Sequence, residues 1–216
     1  MCLVITAYIY NLLYYLAAHH ISQDDHPMTV ALSAVRNETD ILAVYRGTPV
    51  GDLLRYQNLG QNPGQAPGGL VRKYERPALL IATCLEQTSA LRIPEGFAVS
   101  LHTAAASLKR DPFKVSWAIG VAGVSAIAIV GHDDCRLVEL RSHREQFVVQ
   151  MIEAAGWERP AAEQHFDHWS DLFEVDNPAE FVAVEAARVQ SRYPKVLVAP
   201  LLYQSASNTL HQVIVE

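Results

Sequence analysis

Residues 77–139 read PALLIATCLEQTSALRIPEGFAVSLHTAAASLKRDPFKVSWAIGVAGVSAIAIVGHDDCRLVE. Three short apolar runs stand out: ALLIAT at 78–83, FAVSL at 97–101 and SAIAIV at 125–130. Continuous runs of this length fit strands buried on both faces, as in a parallel sheet covered by helices on each side. Lys114 to Ala122 reads as the helical crossover that parallel neighbours need. The expected fold class is α/β, a mostly parallel central sheet flanked by helices.

Outward from this stretch the pattern continues. Phe147 to Ala155 reads as a helix stopped by Gly156, and Asn177-Pro178 opens another. In the latter, Phe181, Val182, Glu185, Arg188 and Val189 divide into an apolar and a charged face. Lys195 to Tyr203 and Thr209 to Val215 flank SASN, so a closing hairpin is expected. On the N-terminal side, 28–58 reads as mixed helix with turns, its last part the amphipathic stretch Val50 to Leu59. GQNPGQAPGG at 60–69 is a surface connector. Residues 2–18, CLVITAYIYNLLYYLAA, are almost uncharged and suit a helix laid on the protein or on a partner subunit. They fall short of the roughly 20 apolar residues of a membrane span, and the first cationic side chain is Arg36 where a signal peptide should carry a basic n-region, so membrane or secretory use is not the expected reading. The expected division is an apolar helix or extension over 1–27 and one domain over 28–216, with Met28 an alternative start.

At 216 residues the chain is long enough for one buried core. A net charge of −6, with basic residues scattered, argues against nucleic acid and against an anionic membrane face. Three cysteines, Cys2, Cys84 and Cys135, do not suggest a disulfide framework, and a reducing, cytoplasmic compartment is expected.

The chemistry gathers at two strand ends. Gly131-His132-Asp133-Asp134-Cys135 follows the third run directly, and a His and a Cys three apart in a turn can address one centre. Zn²⁺ accepts both imidazole nitrogen and thiolate. Gly131 is expected to let the chain turn sharply off the strand, and carboxyl edges of open α/β sheets are where ligands bind. H-x-x-C alone is common; Cys84, ending another buried run, gives it weight. On these residues alone, a zinc site stands level with the plainer reading of a small core cysteine and a hydrogen-bonded loop histidine. His165 and His168, with Asp167 between them, share a helix face but lack a third ligand elsewhere; His143 beside Arg144 reads as solvated surface. Trp117, Trp157 and Trp169 read as core or subunit-contact residues. A thiol-redox reading of the two cysteines finds no general base to support it.

The stretch from Pro77 to Glu139 resembles the β-class carbonic anhydrases, and Pro194 to Val215 resembles the family's C-terminal end. That family has Cys-x-Asp-x-Arg after a first strand and Gly-His-x-x-Cys after a third. Here Cys84-Leu85-Glu86-Gln87-Thr88 and Gly131 to Cys135 stand in those places. The resemblance implies zinc on Cys84, His132 and Cys135, and reversible hydration of CO₂ to bicarbonate through a zinc-bound hydroxide. It also implies a homodimer or a multiple of dimers.

The site departs from the family pattern. The family's Asp accepts a hydrogen bond from the zinc-bound water, and its Arg holds that Asp off the metal; Glu86 and Thr88 occupy these positions. Thr cannot pair bidentately with a carboxylate, so Glu86 is expected to be free to become a fourth zinc ligand. A substrate-assisting Gln aligns with Glu75, the Gly after the second cysteine is Arg136, and the turn after the second strand corresponds to His102 to Ser107. His102 is a candidate to replace a lost cationic or proton-carrying group. These departures leave a zinc lyase, a relative acting on carbonyl sulfide or carbon disulfide, and a catalytically silent zinc-binding protein all open.

Overall fold

The computed structural model describes residues 29–61, 75–87 and 91–215. The expected N-terminal helix, most of the 60–69 connector, Cys2 and Thr88 lie outside the described residues. Six strands form one sheet: β1 Val30–Ala34, β2 Leu79–Cys84, β3 Ala98–Thr103, β4 Ala126–His132, β5 Leu197–Gln204 and β6 Thr209–Val215. Their order is β1-β6-β5-β4-β2-β3. β3, β2, β4 and β5 are mutually parallel, β6 returns antiparallel to β5 as the expected hairpin, and β1 pairs antiparallel with β6.

The three apolar runs became strands because both faces are covered. Leu80, Ala82, Ile127 and Ile129 point into one core with Val182, Ala183 and Ala186 of the helix Pro178–Arg192 (α5). Leu79, Ile81, Ala126, Ala128 and Val130 point into the other, with Val50, Leu53 and Leu54 of the helix Pro49–Leu59 (α1). The alternation is that of the pleat. Each fully buried Leu or Ile contributes about 1.5–3 kcal/mol. The other α-helices among the described residues are α2 Pro112–Trp117, which widens into a π turn over Ala118–Ala122, α3 Arg144–Ala155 and α4 Arg159–Phe173. Gly156 ends α3 in the left-handed conformation at φ 71°.

Three expectations are corrected. Residues 28–58 were expected as helix with turns but contain β1, an edge strand whose partner β6 lies at the far end of the chain; tertiary pairing decides such short segments. Glu185, expected on the charged face of α5, is nevertheless buried: it is 2 % exposed, accepts the Leu108 N–H at 2.5 Å and pairs with Arg188. Of the two places expected for the tryptophans, core or subunit contact, the core is not theirs: Trp117 is 47 % exposed, and Trp157 and Trp169 are half-buried around His165. Among the described residues no helix is long and apolar enough to cross a membrane.

Candidate metal centre

β2 and β4 are adjacent and parallel, with Thr83 opposite Val130. Their carboxyl ends therefore bring Cys84 and His132 to one edge, and the turn after β4 returns Cys135 to it. The 3₁₀ turn Leu85–Gln87 adds Glu86. One ligand-capable atom from each of Cys84, Glu86, His132 and Cys135 lies within 4.8 Å of the others, the one such group among the described residues. Both thiols are free and buried, and His132 is 2 % exposed.

The surroundings fix the donors. Asp134 Oδ1 lies 2.7 Å from His132 Nδ1. A carboxylate only accepts, so Nδ1 carries the proton and Nε2 presents a lone pair to the cluster. That Nε2 is buried without a hydrogen-bond partner, 3.8 Å from Glu86 Oε2. Burial pulls the His132 pKa down, but the nearby Cys84 and Asp134 outweigh it and the net shift is upward. Cys84 is drawn well below an ordinary thiol, first by the hydrogen bond from Cys135, then by His132 and the N–H groups of Glu86 and Ala105. The same contact with Cys84, followed by burial, pushes Cys135 up.

This donor set fits a zinc-like ion. An orphaned, buried imidazole nitrogen facing two buried sulfurs is costly without a cation. Two thiolates, an imidazole and a carboxylate form a set zinc accepts.

Several features were invisible to sequence reading. Gly131 makes no turn: it lies inside β4, and a Cβ there would meet Val182 Cγ1 at 2.8 Å. It is needed because α5 packs against this point of the sheet. Ala105 and Ala106 follow β3 with φ of 53° and 60°, left-handed values that Gly adopts more readily; they place the Ala105 N–H at the Cys84 sulfur. Most consequentially, Glu86 is not free. Arg136 Nε donates to its Oε1 at 2.6 Å, and the Arg136 backbone N–H to its Oε2 at 3.1 Å. The expectation of an unrestrained carboxylate rested on Thr88 alone and overlooked the residue after Cys135.

The other candidates lie apart. His102 Nδ1 contacts Thr83 Oγ1 at 2.8 Å, one residue out of phase with Cys84. Glu75 precedes the amino end of β2, opposite the end that carries Cys84. His165 and His168 pack against Trp157 and Trp169, and Asp167 pairs with Arg144, so they form no second cluster. An apolar cavity of about 10 Å³, room for one water-sized molecule, is lined in part by His132, Cys135, Val175, Phe181 and Val182.

An α/β protein with two cysteines, a histidine and a carboxylate converging at the carboxyl edge of a parallel sheet is the class defined by this geometry. The β-carbonic anhydrase isoform I of the protozoan Trichomonas vaginalis matches it with a TM-score of 0.52 at 19 % identity, over 68 % of this chain and 88 % of that one. The chain thus has the β-carbonic anhydrase fold. A carbonic anhydrase from Glaciozyma antarctica (TM-score 0.49, 15 % identity, 63 % and 82 % covered) is also similar. So is one from Streptococcus mutans (0.48, 18 %, 67 % and 87 %). No protein-family model and no curated protein matches the sequence.

Proposed function

We propose that this chain is a zinc protein of the β-carbonic anhydrase type, holding the metal through Cys84, His132 and Cys135 and hydrating CO₂ reversibly to bicarbonate. The observation that carries the reading is the buried, partnerless Nε2 of His132 aimed at two buried thiols. Zinc held there supplies Lewis acidity, bringing the pKa of water towards about 7. The chain's own groups do the rest. Asp134 keeps the proton on His132 Nδ1. Asp133 Oδ1 accepts the Ser205 N–H at 3.0 Å and ties the ligand-bearing turn to β5. Glu86 Oε2 lies at the rim, 3.8 Å from His132 Nε2, and Val175, Phe181 and Val182 give the small cavity behind His132 an apolar wall.

A second reading, a catalytically silent zinc protein, is favoured by Glu86 lying within the same 4.8 Å cluster, since four protein donors make a closed, structural type of site. One experiment tests both: elemental analysis of purified protein followed by stopped-flow CO₂ hydration. About one zinc per chain is expected, with hydration that His132→Ala abolishes together with the metal. Zinc without hydration selects the silent protein. No transition metal, with His132→Ala melting unchanged, refutes the zinc site itself. A homodimer in a reducing, cytoplasmic compartment accompanies this reading. The homodimer is supported by the exposed stripe Phe113, Trp117 and Val121, and sedimentation measures it.

A further inference from the structure

Arg136 contacts the one cluster member that is not already committed to a buried position. We propose that it is a positioning residue: it holds the Glu86 carboxylate beside, rather than on, a metal bound by Cys84, His132 and Cys135, and so decides whether the fourth position is open. The proposal rests on the zinc-site reading above and concerns the regulation of that site.

Both Glu86 oxygens are engaged from one residue. Oε1 takes the guanidinium Nε at 2.6 Å and Oε2 takes the backbone N–H at 3.1 Å. The backbone donor cannot swing away, because it belongs to the residue bonded directly to Cys135. The guanidinium supplies the charge. Among the described residues the other cationic or potentially cationic group within 4.0 Å of this carboxylate is His132, at 3.8 Å. A Glu86 carboxylate oxygen already lies within 4.8 Å of the other three donor atoms, so the carboxylate stands close to any ion they hold. Removing the guanidinium leaves one neutral hydrogen bond competing with a divalent cation for an anion, and the cation wins that contest.

The length of Glu suits this arrangement. The hold comes from the turn after β4 rather than from the β2 side, and the extra methylene carries the carboxylate across. The Arg side chain is 82 % exposed, so the contact is a surface pair and not part of the packing. Arg136→Ala can therefore be made without disturbing the core.

Cobalt(II)-substituted full-length protein provides the test, read by its visible absorption and titrated with thiocyanate as a probe of an open fourth position. The wild type should shift its spectrum as thiocyanate binds. Arg136→Ala should need at least about tenfold more thiocyanate, or show no shift. Arg136→Lys, a charge without the fork, should fall between. Adding Glu86→Gln to Arg136→Ala should restore the shift, since the competing carboxylate is gone. If Arg136→Ala binds cobalt and responds to thiocyanate as the wild type does, the positioning role is overturned while the metal site stands. If the wild type takes up no cobalt, both readings fall together.

Discussion

Gly131→Ala asks the most of this fold for the smallest chemical change. The added Cβ would sit 2.8 Å from Val182 Cγ1, 3.4 Å from the Pro178 carbonyl oxygen and 3.5 Å from Leu202 Cδ1. A contact of that kind is relieved only if Val182 moves. Val182 is fully buried on α5 and β-branched, so its χ1 is held to essentially one rotamer. Overpacking a well-filled core costs about 1–3 kcal/mol, and the backbone oxygen behind Val182 places the expected loss near the top of that range. The strain falls between the residue opposite the end of β2 and His132, so retention of the proposed zinc should weaken as well. Urea denaturation of wild type, Gly131→Ala, Val182→Ala and the double variant reads the effect. Truncating Val182 removes the colliding methyl groups, so the two changes should couple favourably by about 0.5–3 kcal/mol. A neutral Gly131→Ala, or two losses that simply add, would show that α5 does not press on this point and that the glycine is there for another reason.

Ala105→Gly should hold or raise the melting temperature, because an L-residue in the left-handed region carries about 1–2 kcal/mol of strain that Gly avoids; Ala105→Val should lower it. Glu185→Ala leaves the Leu108 N–H buried without its acceptor, and equilibrium unfolding should show a loss of about 1–3 kcal/mol. Arg55 holds the Glu38 carboxyl below its ordinary range. A depressed folded-state pKa stabilises above the unfolded pKa and is lost as pH falls through the folded one, so Glu38→Gln should flatten the acid limb of the stability curve.

How much of this was written in the order of residues varies by element, and the reasons are physical. β2, β3 and β4 were legible because a strand buried on both faces must be apolar without interruption, and ALLIAT, FAVSL and SAIAIV say so by themselves. The C-terminal hairpin was legible from its turn. β1 was not, because VALSA pairs with a strand some 180 residues away and carries no local mark of it. Glu185 was misplaced because helical periodicity reports which side a residue is on, not whether a carboxylate there is needed by a neighbouring N–H. At the candidate metal centre, strand ends pointed to Cys84, His132 and Cys135. Asp134, Ala105 and Arg136 act through contacts that only the folded turns create.

Glu86 and Arg136 show why residue-by-residue comparison with a pattern misleads. Taken singly, a Glu for an Asp and an Arg for a Gly each count as damage to a carbonic anhydrase site. In the folded chain they meet, and the second departure supplies the cation that the Thr at position 88 cannot. Two substitutions that compensate make a different prediction from two that merely accumulate. As a contribution to stability the pair is slight, since a side chain 82 % exposed is well solvated and such surface pairs are worth about 0–1 kcal/mol. A double-mutant cycle over Glu86→Gln and Arg136→Ala, read by urea unfolding of metal-free protein, should therefore show a coupling below about 1 kcal/mol. The same cycle read by zinc dissociation should be strongly non-additive. Arg136→Ala alone should slow release by letting Glu86 close on the ion, and Arg136→Ala with Glu86→Gln should return it to the rate of Glu86→Gln alone. Equal coupling in both measurements would mean that the pair acts on the fold and only incidentally on the metal.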